Sequence, residues 1–323
     1  MAAPGRRPTL VVHADWSVDP RKRWLCQATL AQGGGYRMAA PRPVGDLDRL
    51  LAGLRAAAPA GGPVLAGFDF PLGVPASYAR RAGIADFRAA LKRFGTGRWR
   101  AFYEVAAAPG EISPWRPFFP ARPGRKGEHR RIQLARGLGV ARFDDLLRRV
   151  DRATGERPAA SVLFWTLGGK AAIAGWRDLV APALAAGAPD MAMWPFDGTL
   201  ADCLDAAAVT LVEAYPAEYY RQLGLPLAAA GSKRRQRSRG DCAPALAAWA
   251  HGAGVELAPE LRGLIVDGFG PAAGGEDPFD AVVGACGLLD AVLGARPPYE
   301  PVGATIRRIE GWILGQRPGA ATV

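Results

Sequence analysis

Apolar and polar positions along the chain resolve into short β-branched runs and a few helical stripes. Leu10 to Ser17 reads LVVHADWS, an apolar start that runs into a carboxylate at Asp15 and closes in small polar residues. A buried central strand with an acid at its C-terminal tip is where α/β sheets place their chemistry. WLCQATLAQ (Trp24 to Gln32), a glycine turn at Gly33 to Gly35 and YRMAA then read as a hairpin, so the first three strands are expected to form an antiparallel meander. Leu47, Leu50, Leu51 and Leu54 recur at helical spacing behind Asp46, a ready N-cap, and predict a helix to Ala58. VLAGFDFPLG follows, its apolar run ending at Asp69 before Pro71. Entered through a helix, this fourth strand can lie parallel to the first. A fifth strand, VTLVEAY from Val209 to Tyr215, is closed by Pro216.

Between the fourth and fifth strands the pattern is weaker. Ile84 to Phe94 and Phe143 to Val150 carry helical spacing, whereas Pro109 to Gly127 is rich in Pro, Arg and aromatics and reads as irregular. So long a stretch is no loop, and a mainly helical insertion is expected at about 95–208 within one domain spanning 1–323. Helices are expected near Ala217 to Leu223, Cys242 to Ala253 and Pro259 to Asp267. A last long helix starts near Glu276 and turns Phe279, Val282, Val283, Cys286, Leu289 and Leu293 inward. The terminal RRIEGWILG has no clear assignment from pattern alone.

Four of these segments deliver acids from apolar surroundings: Asp15, Asp69, Glu213, and the pair Asp277 and Asp280 in EDPFDAVVGA. Positions three apart share a helix face, so Asp277 and Asp280 are presented together from a helix N-terminus. If the segments converge, two like charges about 4 Å apart repel by roughly 4 kcal/mol at an effective dielectric of about 20. Protons or cations must offset this. Carboxylate oxygens without a His or Cys cluster suit Mg²⁺ or Mn²⁺ rather than zinc. Asp15, Asp69, Asp277 and Asp280 are therefore the candidate metal ligands, with Glu213 in or beside that shell as a fifth candidate catalytic residue. Singly, each acid reads more readily as a helix cap or surface charge; Asp15 is the strongest exception, because a carboxylate ending a buried strand needs a partner.

Composition adds a charge argument. The 323 residues carry 41 Lys and Arg against 30 acids, a formal charge of +11 that favours anionic partners, nucleic acid among them. Cys26, Cys203, Cys242 and Cys286 are too scattered for a zinc site or disulfide framework. No apolar run approaches a membrane span, and the apolar stretch after Arg6 and Arg7 is too short for a signal peptide, so a cytoplasmic protein is expected. Candidate substrate contacts are Ser17 beside Asp15, Lys170 after a glycine pair, and Lys233, Arg234 and Arg235 in the basic run SKRRQRSRG, which otherwise reads as a solvated loop. Trp115, Arg116, Phe118, Phe119, Arg122, Arg125 and Lys126 interleave as base-stacking groups do, although packing explains the aromatics equally well. His13 reads as a hydrogen-bonded core histidine more readily than as a proton carrier. The GGK at Gly168 to Lys170 is no Walker loop, since Phe164 stands at the first glycine position and Ala171 replaces Ser or Thr.

The order of HADWS, hairpin, helix, GFDFPLG, VEAYP and a late helix with DPFDA resembles the ribonuclease H-like superfamily. It is most similar to domain-of-unknown-function family 429, described as predicted ribonuclease H-like nucleases. EGWI at Glu310 to Ile313 is similar to a C-terminal feature of that family, and the late acid pair resembles that of Holliday-junction resolvases. The resemblance implies an α/β fold with a five-stranded mixed sheet flanked by helices, metal held by Asp15, Asp69 and the late helix, and a metal-dependent phosphodiester hydrolase of the nuclease type. The alternatives are a nucleic-acid-binding adaptor without turnover, and an actin-like phosphotransferase, whose duplicated core and paired glycine turns are not found in the sequence.

Overall fold

Every residue of Leu10–Asp15 is buried, and this strand, β1, is the axis of the first of two units. A computed structural model describes residues 6–120, 124–154, 163–165, 169–187, 190–228, 231–271, 273–296 and 299–318. Trp24–Leu30 (β2) pairs antiparallel with β1, and Tyr36–Met38 (β3) antiparallel with β2, which is the expected meander. Arg42–Pro43 (β4) adds a short pairing to β2. Val64–Phe68 (β5) lies parallel to β1 on its other side. Met191–Met193 (β6), Val209–Glu213 (β7) and Val255–Leu257 (β8) complete a mixed sheet of eight strands, ordered β6-β7-β5-β1-β2-β3-β8 with β4 beside β2.

The sequence pattern gives five of these strands and misses β4, β6 and β8, so the expectation of five is corrected to eight. The three additions are two or three residues long, too short for a period-two alternation to show.

Helices flank the sheet. In Leu47–Ala57 the Asp46 carboxylate accepts from the Asp48 amide at 3.0 Å, and Leu50 and Leu54 are buried. The long helix Glu276–Val292 is buried from Pro278 to Ala291 and packs over β1 and β2. Its close approach depends on missing side chains. A Cβ at Gly284 would fall 2.1 Å from His13 Nδ1, and one at Gly287 would fall 2.3 Å from the Tyr219 ring.

The first unit comprises Met1–Asp69, Pro189–Tyr299 and Ile313–Gly315; the second comprises Phe70–Ala188, Glu300–Trp312 and Gln316–Val323. Of the stretch 95–208, residues up to 188 therefore fall in the second unit and the remainder, with β6, in the first. The second unit has an aromatic core in which Phe94 stacks on Phe102 with centroids 3.6 Å apart and Trp99, Phe118 and Trp176 close round them. Phe118 and Phe119 are fully buried, so packing accounts for them, whereas Trp115 is 40 % exposed with the Arg98 guanidinium 5.8 Å from its ring centroid. Arg122 lies outside the described residues, as do the side chains of Arg125 and Lys126.

Within the same unit the buried Arg148 guanidinium pairs with Asp151 at 2.8 Å and donates to the Glu310 carbonyl at 3.2 Å. The Glu310 carboxylate accepts from the amides of Ala76 at 3.1 Å and Arg149 at 3.3 Å. Gly73 (φ +137°) is required here, because an added Cβ would lie 2.1 Å from the Glu310 carbonyl oxygen. The helix Gly124–Gly137 begins inside the stretch read as irregular. Its charged sequence, GRKGEHRRIQLARG, leaves too few apolar positions to betray the period. Among the described residues no helix is long and apolar enough to cross a membrane, and the four cysteines are buried.

Candidate active site

Sheet register builds the centre of the site. Ala14 pairs with Phe68 across β1 and β5, and the Asp69 amide continues the ladder by donating to the Ala14 carbonyl at 3.2 Å. Asp15 and Asp69 thus end neighbouring parallel strands at one row of the sheet. Asp280 reaches the same place from the long helix, one turn before the glycine that seats that helix on His13.

The crowding of charge shifts Asp15 and Asp69. Burial raises the pKa of Asp15 well above the ordinary carboxylate range, and the charges of Asp280 and Asp69 push it the same way while Lys233 opposes them. Burial and Asp280 raise Asp69 to about 7, against the pull of Lys233. Asp15 is 7 % exposed and Asp280 3 %, so little water reaches either to screen the repulsion.

Asp280 has two partners. The Tyr220 hydroxyl donates to Oδ1, and the Lys233 ammonium ion-pairs with Oδ2. Desolvation alone would lower the pKa of Lys233, but the charges of Asp280, Asp15 and Asp69 and the bond to Asp280 outweigh it and raise the value. Burial, followed by Asp280, lifts the Tyr220 hydroxyl well above its usual range. One ammonium thus faces three carboxylates, two of them buried and Asp69 part-buried.

Other expected members stand further out. Asp277 is half-buried, and its pKa is raised by burial first, with Lys22 pulling down and Asp280 pushing up. Glu213 is 4 % exposed, pairs across to Phe68 rather than to Asp69, and so projects from the face opposite Asp15 by strand alternation. Its charge still adds to the rise at Asp69. Its carbonyl accepts from the Leu314 amide at 3.0 Å, beside a parallel bridge to Ile313, which places the end of the EGWI segment against β7.

His13 is fully buried with Nδ1 3.3 Å from the Ala281 carbonyl, and burial lowers its pKa to about 3, so it stays neutral and belongs to the packing. The Ser17 hydroxyl accepts from the Asp19 amide at 3.3 Å and its carbonyl accepts from Arg23 at 2.6 Å, so it closes the turn after β1. Arg234 and Arg235 are exposed, with Arg234 Nε 3.9 Å from Glu276, and Lys170 is an exposed residue of the second unit.

The basic run is not a free loop. Gln236–Gly240 is helical, and buried Arg239 donates to the carbonyls of Gly268 and Gly270 at 2.8 Å each, as well as to that of Lys233. Arg239 thereby fixes the main chain from which Lys233 enters the acid cluster. Composition disguised this: five of the nine residues from Ser232 to Gly240 are Lys or Arg, and nothing in their order marks Lys233 as the inward one.

Among the described residues no group of three or more His, Cys, Asp or Glu side chains is disposed to hold a metal ion. Magnesium-class ions ask for less, because they keep several waters and take one or two carboxylates plus substrate oxygens. Asp15 and Asp69, ending adjacent strands beside an excess of buried negative charge, fit that requirement in donor type and in charge. No family model, curated protein or solved structure matches the chain.

Proposed function

We propose that the protein is a metal-dependent phosphodiester hydrolase of the nuclease type, with Asp15, Asp69 and Asp280 at its centre. The observation that carries this reading is the meeting of three carboxylates from β1, the end of β5 and the long helix, Asp15 and Asp280 buried and Asp69 part-buried, opposed by Lys233. The sheet path β3-β2-β1-β5-β7, with only β2 antiparallel to its neighbours, supports a ribonuclease H-like core with those acids at its carboxyl edge. The basic chain supports a nucleic-acid substrate.

In this reading Asp15 and Asp69 hold a magnesium- or manganese-class ion, whose chemistry is to activate water and offset charge on the leaving oxygen. Asp280, held by Tyr220 and Lys233, keeps the remaining negative charge directed at the site. Lys233 has a side chain 41 % exposed, so its ammonium can leave Asp280 for a phosphate oxygen when substrate arrives. Asp277 stands at the rim, where its half-exposed carboxylate orients water.

The test joins calorimetric titration of Mn²⁺ with cleavage of labelled single- and double-stranded DNA and RNA. Asp15→Asn is expected to abolish metal-dependent cleavage while leaving the fold intact by circular dichroism, and Lys233→Met to tighten metal binding while slowing cleavage. Wild-type protein inert across the panel with Mg²⁺ and Mn²⁺ refutes the proposal. One observation favours a second reading, binding of nucleic acid without turnover: Asp280 is already held by Lys233 and Tyr220. That reading expects salt-sensitive binding that Asp15→Asn leaves unchanged.

A further inference from the structure

The second unit contains a cleft of about 690 Å³, within the size range of small-ligand sites, between the helix Ala76–Ala82 and the helix Arg149–Ala153. Ser77, Arg80, Arg81, Arg149, Arg152 and Glu310 line it, with Asp145. Four guanidinium groups and two carboxylates leave an excess of positive charge.

The carboxylates are committed elsewhere. Glu310 is buried under the Ala76 and Arg149 amides, with Arg149 Nε 3.9 Å from it. Asp145 accepts from the Arg142 amide at 2.8 Å and lies 3.6 Å from the Arg142 guanidinium. Among the described residues Arg80, Arg81 and Arg152 have no carboxylate within ion-pairing distance, and Arg152 is anchored only on the neutral carbonyl of Asp144. The stem of Arg81 runs past Gly139 on the chain opposite, at ordinary contact distance.

Three guanidinium groups around one concavity repel each other and are relieved by an anion that each can address with paired donors. Arginine forks match phosphate oxygens in this way. Val140, Ala141 and Leu147 give the same cleft an apolar wall for the rest of a ligand. We propose that this cleft binds a small phosphorylated molecule, its phosphomonoester or pyrophosphate group held by Arg80, Arg81 and Arg152. The site belongs wholly to the second unit and shares no residue with the carboxylate cluster of the first.

Calorimetry at low salt on the full chain tests this, with four probes: inorganic phosphate, pyrophosphate, a nucleoside 5′-monophosphate and the matching nucleoside. Saturable binding of the phosphorylated probes and none of the nucleoside is expected. Tighter binding of the monophosphate than of inorganic phosphate marks an ester as the ligand, and the reverse marks the free anion. Arg80→Gln combined with Arg81→Gln is expected to weaken binding about tenfold or more, the scale of losing charge-assisted bonds. Arg49→Gln with Arg262→Gln removes two exposed charges from the first unit and is expected to leave affinity unchanged. Both double variants alter exposed side chains, and circular dichroism verifies their folding. Absence of saturable binding, or equal losses in the two double variants, overturns the assignment.

Discussion

Replacing Gly284 by alanine tests the packing that sets the candidate site. The new methyl would sit 2.1 Å from His13 Nδ1, 2.2 Å from Cε1 and 2.3 Å from Cγ, so it meets the ring rather than a movable tip. His13 is fully buried on β1 and its Nδ1 faces the Ala281 carbonyl of the same helix, which leaves the ring no free direction. Alanine favours the helix by about 1 kcal/mol over glycine. Overpacking of a tight core costs about 1–3 kcal/mol and here lies at the upper end, because helix and strand must part by about 1 Å to restore contact distance. The net expectation is a loss of about 1–2 kcal/mol, read as a lower urea midpoint at unchanged slope. His13→Ala in the same chain opens the space the methyl needs. The double-mutant cycle should therefore show a favourable coupling of about 1 kcal/mol or more. An unchanged or raised midpoint for Gly284→Ala would refute the reasoning.

Two further expectations concern buried charge. Asp69 has its pKa raised to about 7 in the folded chain by burial and Asp280, against an ordinary value of 3.8. The folded state then holds a proton that the unfolded state has released, so the group's contribution to stability falls as pH rises from about 4 to about 7, by roughly 1.4 kcal/mol for each step of one in pH. His13, lowered from 6.5 to about 3, acts in the opposite sense over the acid range, since there the unfolded state takes up the extra proton. The clean readout is therefore a difference: the stability of Asp69→Asn relative to metal-free wild type should grow between pH 4 and pH 7 in urea titrations, and a flat difference contradicts the cluster. In the second unit, Arg148→Met strands the buried Asp151 carboxylate and should cost about 3–5 kcal/mol. Pairing it with Asp151→Leu should restore most of that loss in thermal melts.

How far the sequence discloses this structure depends on how locally each feature is encoded. β1, β2, β5, β7 and the long helix are strong periodic runs with turn residues at their ends, and their bounds fall within a few residues of expectation. The short strands β4, β6 and β8 carry no such period; neighbours that supply their hydrogen-bond partners create them. The acids show the same division. Asp15, Asp69 and Asp280 end or open strongly patterned elements, so their convergence is legible. Glu213 looks equivalent in sequence, yet sheet register turns it to the other face. Lys233 is visible only as one cation among several, because its inward direction is decided by Arg239, which ties the Lys233 carbonyl to the remote carbonyls of Gly268 and Gly270. The arginine cleft leaves no trace, since its donors come from positions 80, 81 and 152, with no shared pattern.

The split of the second unit has a bearing on how the chain is made. Its first segment ends at Ala188, but the Glu310 carboxylate that receives the Ala76 and Arg149 amides belongs to a segment some 120 residues later. At synthesis rates of about 5–20 residues per second, the Arg149 and Ala76 amides, made 161 and 234 residues before Glu310, wait roughly 8–32 s and 12–47 s for their acceptor. Gln316, which donates to the Ala153 carbonyl at 2.6 Å, arrives later still. Maturation of this half is therefore tied to near-completion of translation, and nascent chains stalled before Glu310 should be held by chaperones or lost to proteases.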